Sequence, residues 1–189
     1  VAAHQLNPLA FKLSPVALAT VMLYSYTKRF TSMSHLWLGF SLSIAPIGAW
    51  IAIKGQFDVL PLLLGLAVML WTAGFDIIYA CQDLDFDRRQ GLYSIPAQFG
   101  IHAALWISTA LHVITVIVLV VIWHVSPLGL IYLVGVGLVS AILIYEHAIV
   151  KPYDLSRVNL AFFTLNGAVS LILMFLAVAD VLIATWPVP

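Results

Sequence analysis

Apolar residues run along this chain in long blocks with no polar face. Residues 36–53, 59–75, 101–123, 128–145 and 158–179 are each hydrophobic on every side of a helical wheel, and a weaker run covers residues 14–26 after a turn at Asn7-Pro8. A helix that is apolar all round belongs inside a large core or in lipid. The long blocks match the roughly 17–25 residues that a membrane span needs, and none alternates in the way of a barrel strand. The pattern predicts an all-α, polytopic membrane helical bundle with six transmembrane helices, read as a single domain over residues 1–189.

Composition agrees with lipid as the solvent: 63% of residues are hydrophobic, 8% are charged and the mean hydropathy is +1.08. A soluble core does not look like this. Net charge is zero and makes no case for nucleic acid, but its distribution is informative. The loops after spans one, three and five carry Lys28, Arg29, Arg88, Arg89, Lys151 and Arg157, against Lys12 and Lys54 on the opposite side. Basic loops stay in the cytoplasm, which predicts a cytoplasm-facing side in a bacterial inner (plasma) membrane, or the equivalent face of the mitochondrial inner membrane. Asp76, Asp83, Asp85, Asp87, Glu146 and Asp154 lie on that same side. A through-pore would need polar residues toward both faces, so an enzyme with one mouth fits better. Cys81 is the lone cysteine, which excludes an intrachain disulfide. Val1 is not an initiator and no cleavable leader opens the chain, so the sequence reads as a fragment or processed product.

Chemistry concentrates where the third span meets its loop. On a continuous α-helix, Asp76, Asp83 and Asp87 share one stripe within about 40°, and Asp85 points away. Three carboxylates on one face repel unless a cation neutralises them, and Mg²⁺ with a phosphate ester is a natural partner for carboxylate oxygens. A solvated, acid-rich helix end is the plainer alternative. Tyr24 and Lys28, four apart, place a phenol beside an ammonium and suit a diphosphate; they equally suit an interfacial anchor. After the fifth span, Asp154 or Ser156 is positioned to cap the last helix. Arg157 in its first turn opposes the helix dipole, which points to an anionic substrate or an ion pair with Asp154 or Glu146. Asn166 is a polar group in hydrocarbon, bonded to a neighbouring helix or to substrate. His4, His35, His102, His112, His124 and His147 lack zinc-helix spacing and read as interfacial or hydrogen-bonded residues. Asp180, near the far end of the last span, is expected to be solvated.

Taken together, Tyr24-x-x-x-Lys28, then Asp76-x-x-Tyr79-Ala80-x-x-Asp83-x-x-x-Asp87 trailed by Ser94-Ile95-Pro96 and Gly100, then Asp154-Leu155-Ser156-Arg157-Val158-Asn159 and Asn166-Gly167, resemble the UbiA superfamily of intramembrane prenyltransferases. The likeness covers essentially the whole chain and is nearest to the 4-hydroxybenzoate polyprenyltransferase branch. It implies a nine-helix fold, of which six helices are present, and transfer of a polyprenyl group from its diphosphate to 4-hydroxybenzoate or a similar phenolic acid in ubiquinone or menaquinone biosynthesis. It implies Mg²⁺ held by Asp76, Asp83 and Asp87, diphosphate contacts from Lys28, Tyr24 and Arg88, and substrate contacts from Tyr79, Arg157 and Asn166. Nothing upstream of Tyr24 matches the family's first motif, Asn-Asp-x-x-Asp-x-x-x-Asp, so the resemblance assigns activity to a longer parent carrying the other half of the metal site. Other acceptors (a dihydroxynaphthoate, homogentisate, haem or a glyceryl phosphate), a transporter using the acidic stripe as a cation site, and a noncatalytic remnant are the competing readings.

Overall fold

The computed structural model describes residues 2–185; residue 1 and residues 186–189 of the expected domain lie outside them. After a short helix α1 (Ala2–Leu6), the spans are α2 (Pro8–Thr27), α3 (Ser34–Lys54), α4 (Val59–Ala80), α6 (Ile95–Val125), α7 (Leu130–Ile149) and α8 (Asn166–Thr185), with the short α5 (Leu84–Gln90) between α4 and α6. Among the described residues six helices are long and apolar enough to cross a bilayer, and the chain is a multi-pass integral membrane protein of the all-α class.

Local chemistry sets the ends. The weak first span begins at Pro8 rather than residue 14, because Asn7 is extended and its side chain accepts the Ala10 N–H at 2.8 Å. Proline in the first turn has no N–H to leave unpaired. The same Asn7 amide donates to the Ile51 and Ala52 carbonyls at 2.7 and 3.1 Å, so one side chain closes the start of α2 and the end of α3. Gly55, at φ 68°, ends α3 in the left-handed region, where a Cβ would be strained. Ser94 caps α6 through the Ala97 N–H, and α6 breaks at Gly100, φ 82°.

Two expectations change here. Asp180 is buried, not solvated: its carboxylate accepts the N–H groups of Gly129 and Tyr132 at the start of α7, where unpaired N–H groups and the positive dipole end favour an anion. The acidic stripe is not one continuous α-helix either. Cys81–Asp83 winds as a 3₁₀ turn before α5. Three residues per turn in place of 3.6 advance the chain by about 20° more per residue, which rotates the segment that carries Asp87 away from the face of Asp76.

The spans pack in chain order, and the π turn Leu160–Leu165 that leads into α8 returns to α4 and α7. Buried Ala67, Leu119, Val136, Val139 and Val169 fill one core, and Ile77, Ile78, Ala104, Val158 and Ala161 a second beneath the polar face. Large side chains such as Leu18, Met22, Trp106 and Phe175 are exposed, as lipid-facing residues are. Small residues set the closest crossing: a Cβ on Gly39 of α3 would collide with the Met69 carbonyl of α4, and close backbone approach of this kind drives helix association in membranes.

Gly39→Leu is therefore expected to destabilise the detergent-solubilised protein by about 1–3 kcal/mol, seen as a lowered thermal unfolding midpoint. At Gly48, where an added Cβ meets nothing within 4 Å, the matching Gly48→Leu is expected to leave it nearly unchanged. Equal midpoints would contradict the α3–α4 crossing.

Candidate functional site

The ends of α2 and α4 and the start of α3 meet around a cavity of about 310 Å³ lined by Tyr24, Ser25, Lys28, Ser34, His35, Asp76, Tyr79, Ala80 and Asp83. Lys28 sits at the C-cap of α2 and is held at both ends by the segment after α4. Its carbonyl accepts the Tyr93 N–H at 2.7 Å, and its ammonium lies 3.2 and 3.0 Å from Oδ1 and Oδ2 of Asp87. The Asp87 side chain is 1% exposed and that of Lys28 33%. A carboxylate that deeply buried requires a cation, and the partial exposure of Lys28 leaves its charge at the cavity.

Asp76 is set from the other side. Its Oδ2 lies 2.6 Å from Nδ1 of His35, a fully buried ring at the start of α3. The Ile95 N–H points at Nε2 of the same ring at 3.3 Å. A backbone amide only donates, so Nε2 carries the lone pair and Nδ1–H donates to Asp76. Ser94 fixes the turn that presents Ile95, which gives the Ser94-Ile95-Pro96 run a structural purpose: it orients His35, and His35 orients Asp76. No hydrogen bond or ion pair reaches the Asp83 carboxylate among the described residues, and Ser34 Oγ is buried without a partner. Both groups are free to meet a ligand in the cavity.

Tyr79 lines the cavity, and the remaining sequence candidates lie elsewhere. Asp87 is turned to Lys28 by the 3₁₀ winding, and no three His, Cys, Asp or Glu side chains among the described residues converge as a metal cage. Arg88 is exposed, with Nε donating to the Ala97 carbonyl at 3.2 Å. Arg157 is exposed in the loop before α8. It makes no ion pair with Glu146, which is sealed at 0% exposure. Asp154 caps its own turn rather than α8, accepting the Ser156 N–H at 3.0 Å. Hydrogen bonds from the Ser156 side chain and backbone, with the Arg157 charge, hold its carboxyl below the usual range. That contribution to the turn is present at neutral pH and lost as pH falls through the lowered pKa. Asn166 bonds across helices: Oδ1 accepts from Trp71 Nε1 at 2.8 Å, and Nδ2 donates to the carbonyls of Ala161 and Phe162. Tyr79 packs on Phe162, ring centroids 4.3 Å apart.

His35 is the site residue that sequence reasoning missed as a partner of the acids. It lies 41 residues from Asp76 and 60 from Ile95, so no local spacing exposes it. The one available signal was its position at the polar end of a span, level with Lys28 and Asp76. His112 and His147, 35 residues apart, also meet inside the bundle, at 3.0 Å.

Comparison with known proteins adds an independent line. The family model described as "UbiA prenyltransferase family" matches residues 1–184. The 4-hydroxybenzoate octaprenyltransferase of Vibrio parahaemolyticus is 30% identical over 174 residues, covering 92% of this chain and 61% of the relative. That of Marinobacter nauticus is 31% identical over 162 residues, covering 86% and 55%. The apo structure of a UbiA homolog from Aeropyrum pernix superposes with a TM-score of 0.85 at 36% identity, covering 95% of this chain and 66% of that one. A digeranylgeranylglyceryl phosphate synthase structure shares the fold at TM-score 0.77 and 18% identity. The chain thus spans about 60% of the length of the curated relatives it matches.

Lys28→Met strands a buried carboxylate and is expected to destabilise by about 1–3 kcal/mol. The double substitution Lys28→Met with Asp87→Leu is expected to recover most of that loss, since removing both charges spares the desolvation penalty. Thermal unfolding in detergent checks this, and purely additive losses would rule the pair out.

Proposed function

Because this chain belongs to the UbiA prenyltransferase family, we propose that the protein transfers a polyprenyl group from its diphosphate to an aromatic acceptor of the 4-hydroxybenzoate class within the membrane. The observation that carries the reading is one cavity where Lys28, two carboxylates and an unpaired Ser34 hydroxyl meet at the polar end of apolar spans. The relatives named 4-hydroxybenzoate octaprenyltransferase support the acceptor class.

The donor set suits Mg²⁺, which binds through one or two carboxylates together with substrate phosphates. Asp76 and Asp83 would hold it, with Asp87 serving as the anchor of Lys28 instead. Bound there, the ion would neutralise the charge of the departing diphosphate. Lys28 contacts the diphosphate oxygens as a point charge on a flexible stem, and the Tyr24 hydroxyl donates to the same oxygens. His35 keeps Asp76 oriented through its Nδ1–H. As the allylic C–O bond ionises, Tyr79 on the cavity wall offers the cation a π face, and the ring contacts from Tyr79 through Phe162 and Phe75 to Trp71 keep water out. The phenol ring attacks the allylic carbon ortho to its hydroxyl, then loses the proton at that position. Arg88, Arg157 and the other loop cations form a positive rim that attracts an anionic substrate to the cytoplasmic face of a bacterial plasma membrane.

Membranes carrying the protein, given labelled polyprenyl diphosphate and 4-hydroxybenzoate, are expected to form a prenylated acid only when Mg²⁺ is present. Asp83→Ala is expected to lower turnover about 100-fold or more without loss of membrane insertion. Lys28→Ala is expected to act mainly on the KM of the diphosphate. Unchanged turnover in Asp83→Ala would remove the site assignment, and product only with another aromatic acceptor would replace the acceptor class.

A further inference from the structure

A second polar cluster lies inside the bundle between α6 and α7, apart from the cavity of Lys28 and Asp76. Ionisable side chains within membrane spans are expensive and mark function. Glu146 is fully buried and neither carboxyl oxygen has a hydrogen-bond partner among the described residues. His112 Nδ1 lies 4.0 Å from Glu146 Oε2 and 3.0 Å from His147 Nε2. The far side of His112 meets the Trp71 carbonyl, at 3.2 Å from Nε2. The far side of His147 meets Thr109 Oγ, at 3.2 Å from Nδ1, and that hydroxyl lies 2.8 Å from the Leu105 carbonyl.

The Trp71 carbonyl can only accept, so His112 Nε2 carries a hydrogen. If Thr109 donates to Leu105, then His147 Nδ1 must donate to Thr109, and a third hydrogen lies between the two rings. Three N–H groups on two imidazoles make a single positive charge, and Glu146 is its carboxylate counter-ion. If Thr109 turns to donate to His147 Nδ1, the rings need only two N–H groups and are neutral, and a proton carried by Glu146 would then leave the charge of the cluster unchanged. The proton total is the same in both arrangements.

We propose that Glu146, His112 and His147 form a proton-exchange site, with one proton shared between the carboxyl and the imidazole pair and an outlet at the membrane surface. The outlet is a pocket of about 320 Å³ lined by His102, Trp106, Thr109, His147 and Lys151, among others. Toward the interior, Glu146 neighbours Asn166, which binds Trp71, the first ring of the aromatic face that ends at Tyr79 in the cavity. The proposal rests on the transfer reaction for its proton source. When the acceptor ring regains aromaticity, its C–H electron pair returns to the ring and one proton leaves. The Glu146 carboxylate takes up a proton, the charged imidazole pair releases the His147 Nδ1 proton to water in the pocket, and the site passes from its ion-pair arrangement to its neutral one. One proton enters and one leaves. Among the described residues, the charged group facing the cluster is Lys151, whose ammonium approaches the His147 carbonyl at 3.4 Å, with the titratable His102 at the pocket; α4 and α8 bring the neutral Trp71 and Asn166 to it.

Infrared titration of the purified chain in lipid nanodiscs tests the site without turnover. A protonated carboxylic C=O band that shifts in D₂O is expected, absent from Glu146→Gln, and persisting to higher pH in His147→Gln because the competing proton seat is gone. In the transfer assay, Glu146→Gln is expected to lower kcat about 10-fold or more with an altered pH profile and an unchanged KM for the diphosphate. A band untouched by Glu146→Gln, or a variant with wild-type kcat and pH profile, would overturn the proposal and leave the cluster structural. A stoichiometric transition metal lost in His112→Gln would overturn it too. If the infrared behaviour is as expected but wild-type protein prenylates no acceptor, the exchange site stands and the reaction reading falls.

Discussion

Everything in this protein follows from a solvent that cannot hydrogen-bond. In hydrocarbon an unpaired polar group costs several kcal/mol, as a rough order of magnitude, so each polar side chain inside a span must reach another helix or its own backbone. The long-range bonds that result are the framework. Asn7 ties α2 to α3, the Trp37 indole donates to the Thr20 carbonyl, Ser108 donates to the Gly74 carbonyl, Trp71 donates to Asn166, and Asp180 closes α7 from α8. Together these bonds stitch helix to helix around the bundle, where apolar surface alone would have little preference for one neighbour over another.

The same constraint places the chemistry. Charged groups survive where spans end and water or a cavity can receive them, so Lys28, Asp76 and Asp83 gather on one face. Where a carboxylate does go under cover, it is held by a partner: Asp87 by Lys28, Asp76 by His35, Asp180 by two backbone N–H groups. Glu146 departs from that pattern, its carboxylate lying near His112 and beyond hydrogen-bond reach of it.

Much of this was legible in the sequence because membrane spans announce themselves by composition. All six runs were found, and Tyr24, Lys28, Asp76 and Asp83 do share a cavity. What the sequence concealed depends on winding and on distant contacts. A 3₁₀ turn of three residues at Cys81–Asp83 moved Asp87 off the stripe, and nothing in Cys-Gln-Asp marks it against an α-helical reading. Asp180 looked solvated because its partners lie 51 and 48 residues earlier in the chain. The His112–His147 pair was invisible for the same reason, since periodicity within one helix carries no information about the facing helix.

The π turn at Leu160–Leu165 has a consequence for how this chain tolerates changes in length. A π turn accommodates one residue more than an α turn while the winding on either side continues in phase. Removing a residue from an ordinary stretch of α8 would rotate everything beyond it by about 100°, carrying Asp180 away from α7. Removing one from within the wide turn would instead relax it to α winding and keep the downstream face where it is. A one-residue deletion can therefore be absorbed at the entrance to α8, beside the ring contact of Phe162 with Tyr79, while the distal half of the helix keeps its partners.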